Sequence, residues 1–392
     1  MQTRSNATLL FAQADTAAAR HNPGGGEAPP CSTQGASAKG CHPFYERMVS
    51  SATAGRSWGA PATQRPWVSA APSYMYSEAT GAVFRFETTP QPVKDDPAAV
   101  AAPSPVPPPI PPGKPVWATD LPKPAAKVIA AGATGLSTST DDGRTWSEPA
   151  LLQINGTLSP HYGGGSGLGH GVVLQHGPHK GRLVLARRYG SRGMSTAEGA
   201  AHSFVIYSDD DGGHWQAGQL LPEGWTECQA TEMLNGSVLL TARMVGSPYL
   251  SQPGKLTDRR RGFARSDDGG RTWAEWWFLE DRQPDVFVGT CFQSITSDVG
   301  GPNPSGRIFF GHPGAVNGSR TNYTVHQSSD GGGSWALLQR VYAGGGGYSD
   351  INVLRKPGGG KALGVAFQKT FDPPDKNIEG GGYNMGFAAL DL

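Results

Sequence analysis

The chain has 392 residues, 37% of them hydrophobic, with 33 Lys and Arg against 32 Asp and Glu and a formal charge of +1. That balance argues against a nucleic-acid partner, because neutralising many phosphates takes a concentrated basic stripe. No window approaches the ~20 apolar residues of a membrane-spanning helix. The 56 Gly and 33 Pro beside 10 Trp and 11 Tyr point instead to many short strands joined by tight turns, an all-β composition with enough apolar mass for a packed core.

The first stretch, Met1 to Arg20, holds a short apolar patch at Leu9, Leu10 and Phe11 and lacks the apolar core of a secretory signal. Five glycosylation sequons, at Asn6, Asn155, Asn235, Asn317 and Asn322, pull the other way, since they are glycan acceptors only in the secretory path. The compartment therefore stays open between lumenal (lysosomal) or secreted and cytoplasmic. Cys31 and Cys41 bracket a Gly/Ser-rich loop and are candidates for a bridge; Cys228 and Cys291 sit in strand-like runs and read as buried thiols.

One motif recurs along the chain. The pattern Ser-x-Asp-x-Gly-x-(Thr/Ser/His)-Trp occurs at Ser139 to Trp146, Ser208 to Trp215, Ser266 to Trp273 and Ser328 to Trp335. A decayed copy runs from Ser51 to Trp58, with Thr53 in place of the aspartate. The aspartate can accept hydrogen bonds from the turn's backbone N–H groups, the glycine supplies a positive φ, and the tryptophan has an apolar face to pack beneath the turn. Asp141, Asp210, Asp268 and Asp330 are accordingly structural. Strand-like runs flank each copy, as in Ser203 to Tyr207 and Tyr323 to His326, so the unit is a repeated hairpin. Radial repetition of small antiparallel sheets is a propeller.

Two segments interrupt the pattern. Residues 95–124 are Pro-rich, with Pro-Ser-Pro-Val-Pro-Pro-Pro-Ile-Pro-Pro at 103–112, and read as an exposed polyproline-type insertion. The run Asp258-Arg259-Arg260-Arg261 reads as a solvated turn between strands.

With these copies in place the chain resembles the exo-α-sialidases (neuraminidases), whose aspartate boxes take this form. The resemblance covers nearly all of residues 45–392. It implies one domain over residues 1–392, a six-bladed β-propeller of the sialidase type whose first blade need not be complete. The segments between the boxes carry the likeness further. Glu227-Cys228-Gln229, followed by a strand ending in Thr241-Ala242-Arg243, is similar to the family segment that supplies the base partner of the nucleophile, Glu227, and a carboxylate-binding arginine, Arg243. Ser319-Arg320-Thr321 resembles the third arginine strand, which makes Arg320 the other visible member of an arginine triad. Gly347-Tyr348-Ser349-Asp350 resembles the nucleophile segment, with Tyr348 as nucleophile. Residues 163–188, including Gly167-Leu-Gly-His-Gly171, resemble a loop and strand that line the sugar pocket.

Three features depart from the family pattern. Leu9-Leu-Phe-Ala-Gln13 looks like the stretch that follows the first triad arginine, which would put that arginine ahead of Met1; Arg4 lies too close and lacks the following Ile-Pro. Asp15 is the sole aspartate between Met1 and Lys94 and so the sole candidate for the general acid. Gln368 stands where the family carries a glutamate that braces the first arginine.

The chemistry suits these residue types. A carboxylate beside the anomeric carbon of sialic acid repels a carboxylate nucleophile, and tyrosine is the known exception among retaining glycosidases. Guanidinium forks bind a carboxylate through paired charge-assisted hydrogen bonds. The resemblance thus implies a hydrolase: a retaining exo-α-sialidase acting on sialylated glycoproteins, gangliosides or oligosaccharides with no metal or organic cofactor. The alternatives are a catalytically impaired propeller that binds sialylated glycans through Arg243 and Arg320, and a propeller serving only as a protein-interaction platform.

Overall fold

The structure, a computed structural model, describes residues 8–15, 44–51, 53, 57, 62–66, 73–88, 134–155, 157–158, 169–189, 201–244, 260–288, 291–315, 319–370 and 383–392, with the backbone alone for 8–15, 44–50, 62–66, 87–88, 151, 157–158, 189, 370 and 383–384. Cys31, Cys41 and the Pro-rich run fall outside these residues.

The described strands form antiparallel meanders in which chain order equals spatial order. The first sheet is β1 (Thr8–Asp15), β2 (Phe44–Ser51) and β3 (Ala62–Pro66). The second is β4 (Ser73–Tyr76), β5 (Val83–Thr88), β6 (Thr134–Ser139) and β7 (Ala150–Leu151). A short hairpin, β8 (Gln153–Ile154) and β9 (Thr157–Leu158), precedes the third sheet. That sheet is β10 (Val172–Val173), β11 (Leu183–Tyr189), β12 (His202–Ser208) and β13 (Gln216–Ala217). The fourth is β14 (Trp225–Glu232), β15 (Val238–Met244), β16 (Arg261–Ser266) and β17 (Glu275–Phe278).

The last sheet has six strands, β18 (Ser294–Ser297), β19 (Ile308–Pro313), β20 (Thr321–Ser328), β21 (Ala336–Arg355), β22 (Lys361–Thr370) and β23 (Tyr383–Asp391). Its long strand β21 serves two units: residues up to Gly345 pair with β20, and residues from Gly346 onward pair with β22. The arrangement is all-β and propeller-like. The Pro-rich run falls between β5 and β6, which pair directly from Val83↔Ser139 to Thr88↔Thr134.

Strand periodicity explains why such sheets stack. Side chains alternate sides along a strand, so one strand can feed two cores when sheets lie on both faces. Leu183 and Leu185 join a core with Phe84 and Phe86 of the second sheet, whereas Val184 and Ala186 join one with Leu240 and Ala264 of the fourth. In the same way Leu239 packs with Phe310 and Ile295, and Phe309 packs with Ile351 and Val365. The first three cores lie between neighbouring sheets, and the last lies between the two units that β21 joins.

The repeated motif closes the outer hairpins. In the second sheet Asp141 Oδ1 accepts bonds from Ser139 Oγ (2.8 Å) and the Thr145 N–H (2.8 Å), and Oδ2 accepts from Thr145 Oγ1 (2.6 Å). Asp268 has the same partners in Ser266 Oγ (2.8 Å), the Thr272 N–H (2.8 Å) and Thr272 Oγ1 (2.6 Å). Two successive left-handed residues turn the chain; in the second sheet they are Asp142 (φ 57°) and Gly143 (φ 79°). The decayed copy keeps the bonding with a hydroxyl, since Thr53 Oγ1 accepts from the Ser57 N–H at 2.8 Å.

Two of the tryptophans reach back to the preceding sheet. Trp215 stands edge-on to Phe86 at 5.2 Å between ring centroids, and Trp335 packs on Phe263 and Phe310 at 5.4 Å each. Each is nearly buried, at 3% and 4% exposure. The motif is thus both a turn and a wedge between sheets.

The solvated-turn expectation fails at its last residue. Arg261 is 1% exposed, because it opens β16 opposite Arg243 and its side chain turns into the fold. Its Nε donates to Thr241 Oγ1 (2.9 Å) and Nη2 to the Gln293 carbonyl (3.3 Å), and desolvation pushes its pKa down to about 9.

The motif aspartates link stability to pH. The carboxyl of Asp141 is held down to about 2: slight burial works upward, and the bonds from Thr145, Ser139 and the Arg144 amide outweigh it. Asp210 is also held to about 2, chiefly by its bonds from His214. A carboxyl depressed in the folded state contributes stability that is complete above its unfolded pKa of roughly 4 and is lost as the pH falls through the folded value. Thermal midpoints are therefore expected to drop steadily between about pH 4 and about pH 2. Asp268→Ala, which removes three bonds, is expected to cost about 1–3 kcal/mol in urea unfolding at neutral pH. Its midpoint should also fall less on acidification than the parent's.

Candidate functional site

Glu227 and Tyr348 come from different sheets, and each sits in a β-bulge. On β14 the pairing with β15 jumps from Trp225↔Met244 to Cys228↔Ala242, so Thr226 and Glu227 together face Arg243. On β21 the pairing with β22 jumps from Gly346↔Lys369 to Ser349↔Phe367, so Gly347 and Tyr348 together face Gln368. A bulge adds one residue to a strand and re-aims the side chains beside it. Here two bulges aim a carboxylate and a phenol at each other.

The residue facing each bulge secures it. Arg243 Nη1 donates to Glu227 Oε2 at 3.0 Å, in a pair whose side chains are 19% and 13% exposed. Gln368 Oε1 accepts the Tyr348 N–H at 3.0 Å. Gln368 therefore holds the backbone of Tyr348, a role that its expected correspondence to an arginine-bracing glutamate did not suggest. A Cβ on Gly347 would lie 2.5 Å from the same Gln368 oxygen, so a larger residue here would press on the bond that holds the bulge.

The phenol of Tyr348 donates to Glu227 Oε1, leaving the other carboxylate oxygen to Arg243. Arg320 lies with Cζ 5.6 Å from the centre of the Tyr348 ring, and Phe292 meets that ring edge-on at 5.9 Å. The structure thus brings together Tyr348, Glu227, Arg243 and Arg320. Asp15 ends β1 opposite Phe44, and its side chain lies outside the described residues.

Burial pushes the Tyr348 phenol well above its ordinary value, and the neighbouring Glu227 charge and the bond to it push the same way against Arg243 and Arg320. The phenol consequently keeps its proton and holds it against Glu227. For Arg243, burial works downward, and the charge and bond of Glu227 outweigh it, so the guanidinium is held above its ordinary range. Beneath the pair lies the buried Arg261, whose charge interacts with Glu227. With Arg243 and Arg261 at Glu227 and Arg320 at Tyr348, the site has a positive balance suited to an anionic ligand.

Three further residues form a cluster beside this pair, with the Asp350 side chain 37% exposed and that of His170 8%. Asp350 Oδ1 accepts from His170 Nδ1 (2.8 Å) and Gln229 Nε2 (2.9 Å), while Gln229 Oε1 accepts the Ile295 N–H (2.9 Å). Asp350 stands two residues beyond Tyr348, and Gln229 two beyond Glu227. His170 lies in the Gly-rich segment noted from sequence, but nothing in its spelling pairs it with Asp350. The strand period of two was the available signal for the other two. Cys228 and Cys291 are buried free thiols as expected, with Cys291 against the Gly347 carbonyl at 3.6 Å.

The family model described as "BNR repeat-like domain" matches residues 88–359. Among curated relatives, the chain is 29% identical over 223 residues to a sialidase of Micromonospora viridifaciens, covering 56% of this chain and 31% of that protein. It is 25% identical over 243 residues to a sialidase of Bacteroides fragilis, covering 60% and 39%. The chain therefore spans well under half the length of these two relatives. Among solved structures, "Hadza microbial sialidase Hz136" superposes with a TM-score of 0.61 at 18% identity, over 100% of this chain and 64% of that one, a likeness of fold. With four full aspartate boxes, a propeller-like stack of sheets and a family match over most of its length, the chain belongs to the sialidase family with BNR repeats.

Proposed function

We propose that the chain is a retaining exo-α-sialidase that releases terminal α-linked sialic acid from glycoproteins, gangliosides or oligosaccharides. The observation that carries this reading is the contact of the Tyr348 phenol with Glu227, flanked by Arg243 and Arg320.

In this mechanism the guanidinium groups of Arg243 and Arg320 hold the substrate carboxylate. Tyr348 attacks the anomeric carbon as Glu227 takes its proton, so the phenol need not ionise beforehand. The bond from the anomeric carbon to the leaving oxygen breaks, and that oxygen takes a proton from a general acid, for which Asp15 is the candidate. Water then displaces Tyr348 from the sugar with retention overall, passing a proton to the now deprotonated general acid, and the phenol recovers its proton from Glu227. The electron-rich Tyr348 and Glu227 oxygens stabilise the positive charge that develops on the ring. No step in this sequence calls on a metal or an organic cofactor.

The deciding experiment is hydrolysis of a fluorogenic sialoside. The parent is expected to turn over, and Tyr348→Phe and Glu227→Gln are each expected to lower kcat at least ~100-fold, the usual reach of a lost nucleophile or base. Equal turnover by parent and Tyr348→Phe would remove the nucleophile assignment. A parent that binds sialyllactose without hydrolysing it would favour the second reading, a glycan-binding propeller.

The phenol offers an independent check. An ordinary tyrosine ionises near pH 10. Tyr348 is held protonated beyond that, so near-ultraviolet phenolate absorbance of the parent and of Tyr348→Phe should coincide up to about pH 11. A deficit of one ionising phenol in the variant near pH 10 would contradict the environment described.

A further inference from the structure

Nothing in the sheet ladders sets the distance between Glu227 and Tyr348. They lie on β14 and β21, which belong to different sheets and share no backbone pairing. Both also occupy bulges, where the ladder is locally broken and the backbone is least constrained. A contact between phenol and carboxylate under these conditions needs a side-chain tie between the two strands.

We propose that Asp350 is that tie: a positioning residue that, through Gln229 and His170, holds Tyr348 against Glu227. The proposal rests on reading Tyr348 and Glu227 as nucleophile and base. Four observations carry it. Asp350 and Gln229 bond at 2.9 Å, two residues along the same strands from the reacting pair, so this bond is a second rung parallel to the first. Gln229 is fully buried and its orientation is determined, because its carbonyl oxygen takes the Ile295 N–H of β18 and its amide nitrogen is left to face Asp350.

His170, only 7% exposed, brings the segment ahead of β10 to the same carboxylate oxygen. It is itself held to β4, where the Gly171 N–H donates to the Tyr74 carbonyl at 2.8 Å. Because an ionised carboxylate oxygen can only accept, Nδ1 of His170, 2.8 Å from it, is the protonated ring nitrogen. Finally, Gly169 (φ +81°) admits the cluster: a Cβ there would lie 2.6 Å from Gln229 Nε2 and 3.1 Å from Asp350 Oδ1. One carboxylate oxygen therefore joins β21 to β14, which carries Glu227, to the segment ahead of β10 that carries His170, and through Gln229 to β18.

The test compares Asp350→Ala, Asp350→Asn and Gln229→Met with the parent and Tyr348→Phe. Steady-state hydrolysis of a fluorogenic sialoside is normalised to sites titrated with a 3-fluorosialosyl fluoride that arrests the sugar on the nucleophile. Asp350→Ala and Gln229→Met are expected to lower kcat per titrated site at least ~10-fold, the scale of a sub-ångström to ångström misplacement, while KM changes less than about threefold. Asp350→Asn keeps an acceptor oxygen toward both donors and should recover most of kcat.

A purely structural role would lower the melting temperature and the number of titratable sites but leave kcat per site at the parental value. That result in Asp350→Ala, or in Gln229→Met should the former not fold, overturns the proposal. So does an Asp350→Asn no better than Asp350→Ala. If the parent itself is inert, or Tyr348→Phe is as active as the parent, the nucleophile reading falls and this proposal with it. A parent active through Tyr348 beside a fully active Asp350→Ala removes the positioning proposal alone.

Discussion

The site depends on one contact between groups that no ladder joins: a phenol on one sheet donating to a carboxylate on another. A β-sheet fixes its own strand spacing through its hydrogen-bond ladder, but between sheets only side-chain packing and side-chain hydrogen bonds are available. The propeller resolves this by stacking its sheets face to face with strands that feed cores on both sides. The position of Tyr348 relative to Glu227 then rests on the packing of residues such as Leu239, Ile295, Phe309 and Ile351 together with side-chain hydrogen bonds between the strands. Substitutions in those cores act on the site without touching it.

The aspartate boxes supply the outer half of the same constraint. Each turn satisfies its own backbone donors through one carboxylate, and the tryptophans at Trp215 and Trp335 lie against the sheet before. A turn that closes itself costs the rest of the fold little. The wedge then sets the spacing at the rim, while the axis is set by polar contacts such as that of Gln229 with the Ile295 amide. That division also explains how Thr53 can stand for an aspartate, since a hydroxyl accepts the same Ser57 N–H.

Charge in the site is set by what burial permits. Glu227 keeps company with Arg243 at hydrogen-bond distance and with the buried Arg261 behind it, and Tyr348 lies beneath Arg320. A cluster of cations around one carboxylate is costly to assemble in a low-dielectric interior, and an anionic ligand would offset that cost on binding. The neutral Gln368 at the Tyr348 bulge adds no further negative charge.

Much of this was legible in the sequence, and the boundary has a physical origin. The boxes are local: Ser, Asp, Gly and Trp at fixed spacing encode a turn whose hydrogen bonds close within eight residues, so composition and repeat alone determine an all-β, propeller-like chain. Glu227, Arg243, Arg320 and Tyr348 were legible as types in family-like segments. Their meeting was implied only through that resemblance, because it depends on two bulges whose presence no spacing signals. The burial of Arg261, which the charge run concealed, was not legible, nor was the bond between Gln368 and the Tyr348 amide. Asp350, Gln229 and His170 lie up to 180 residues apart in the chain and meet at one oxygen. The sequence by itself determined the turns, the strands and the chemistry on offer, since those are short-range properties. Only the tertiary structure decided which groups face one another, since cross-sheet contacts are set by the stacking of whole sheets.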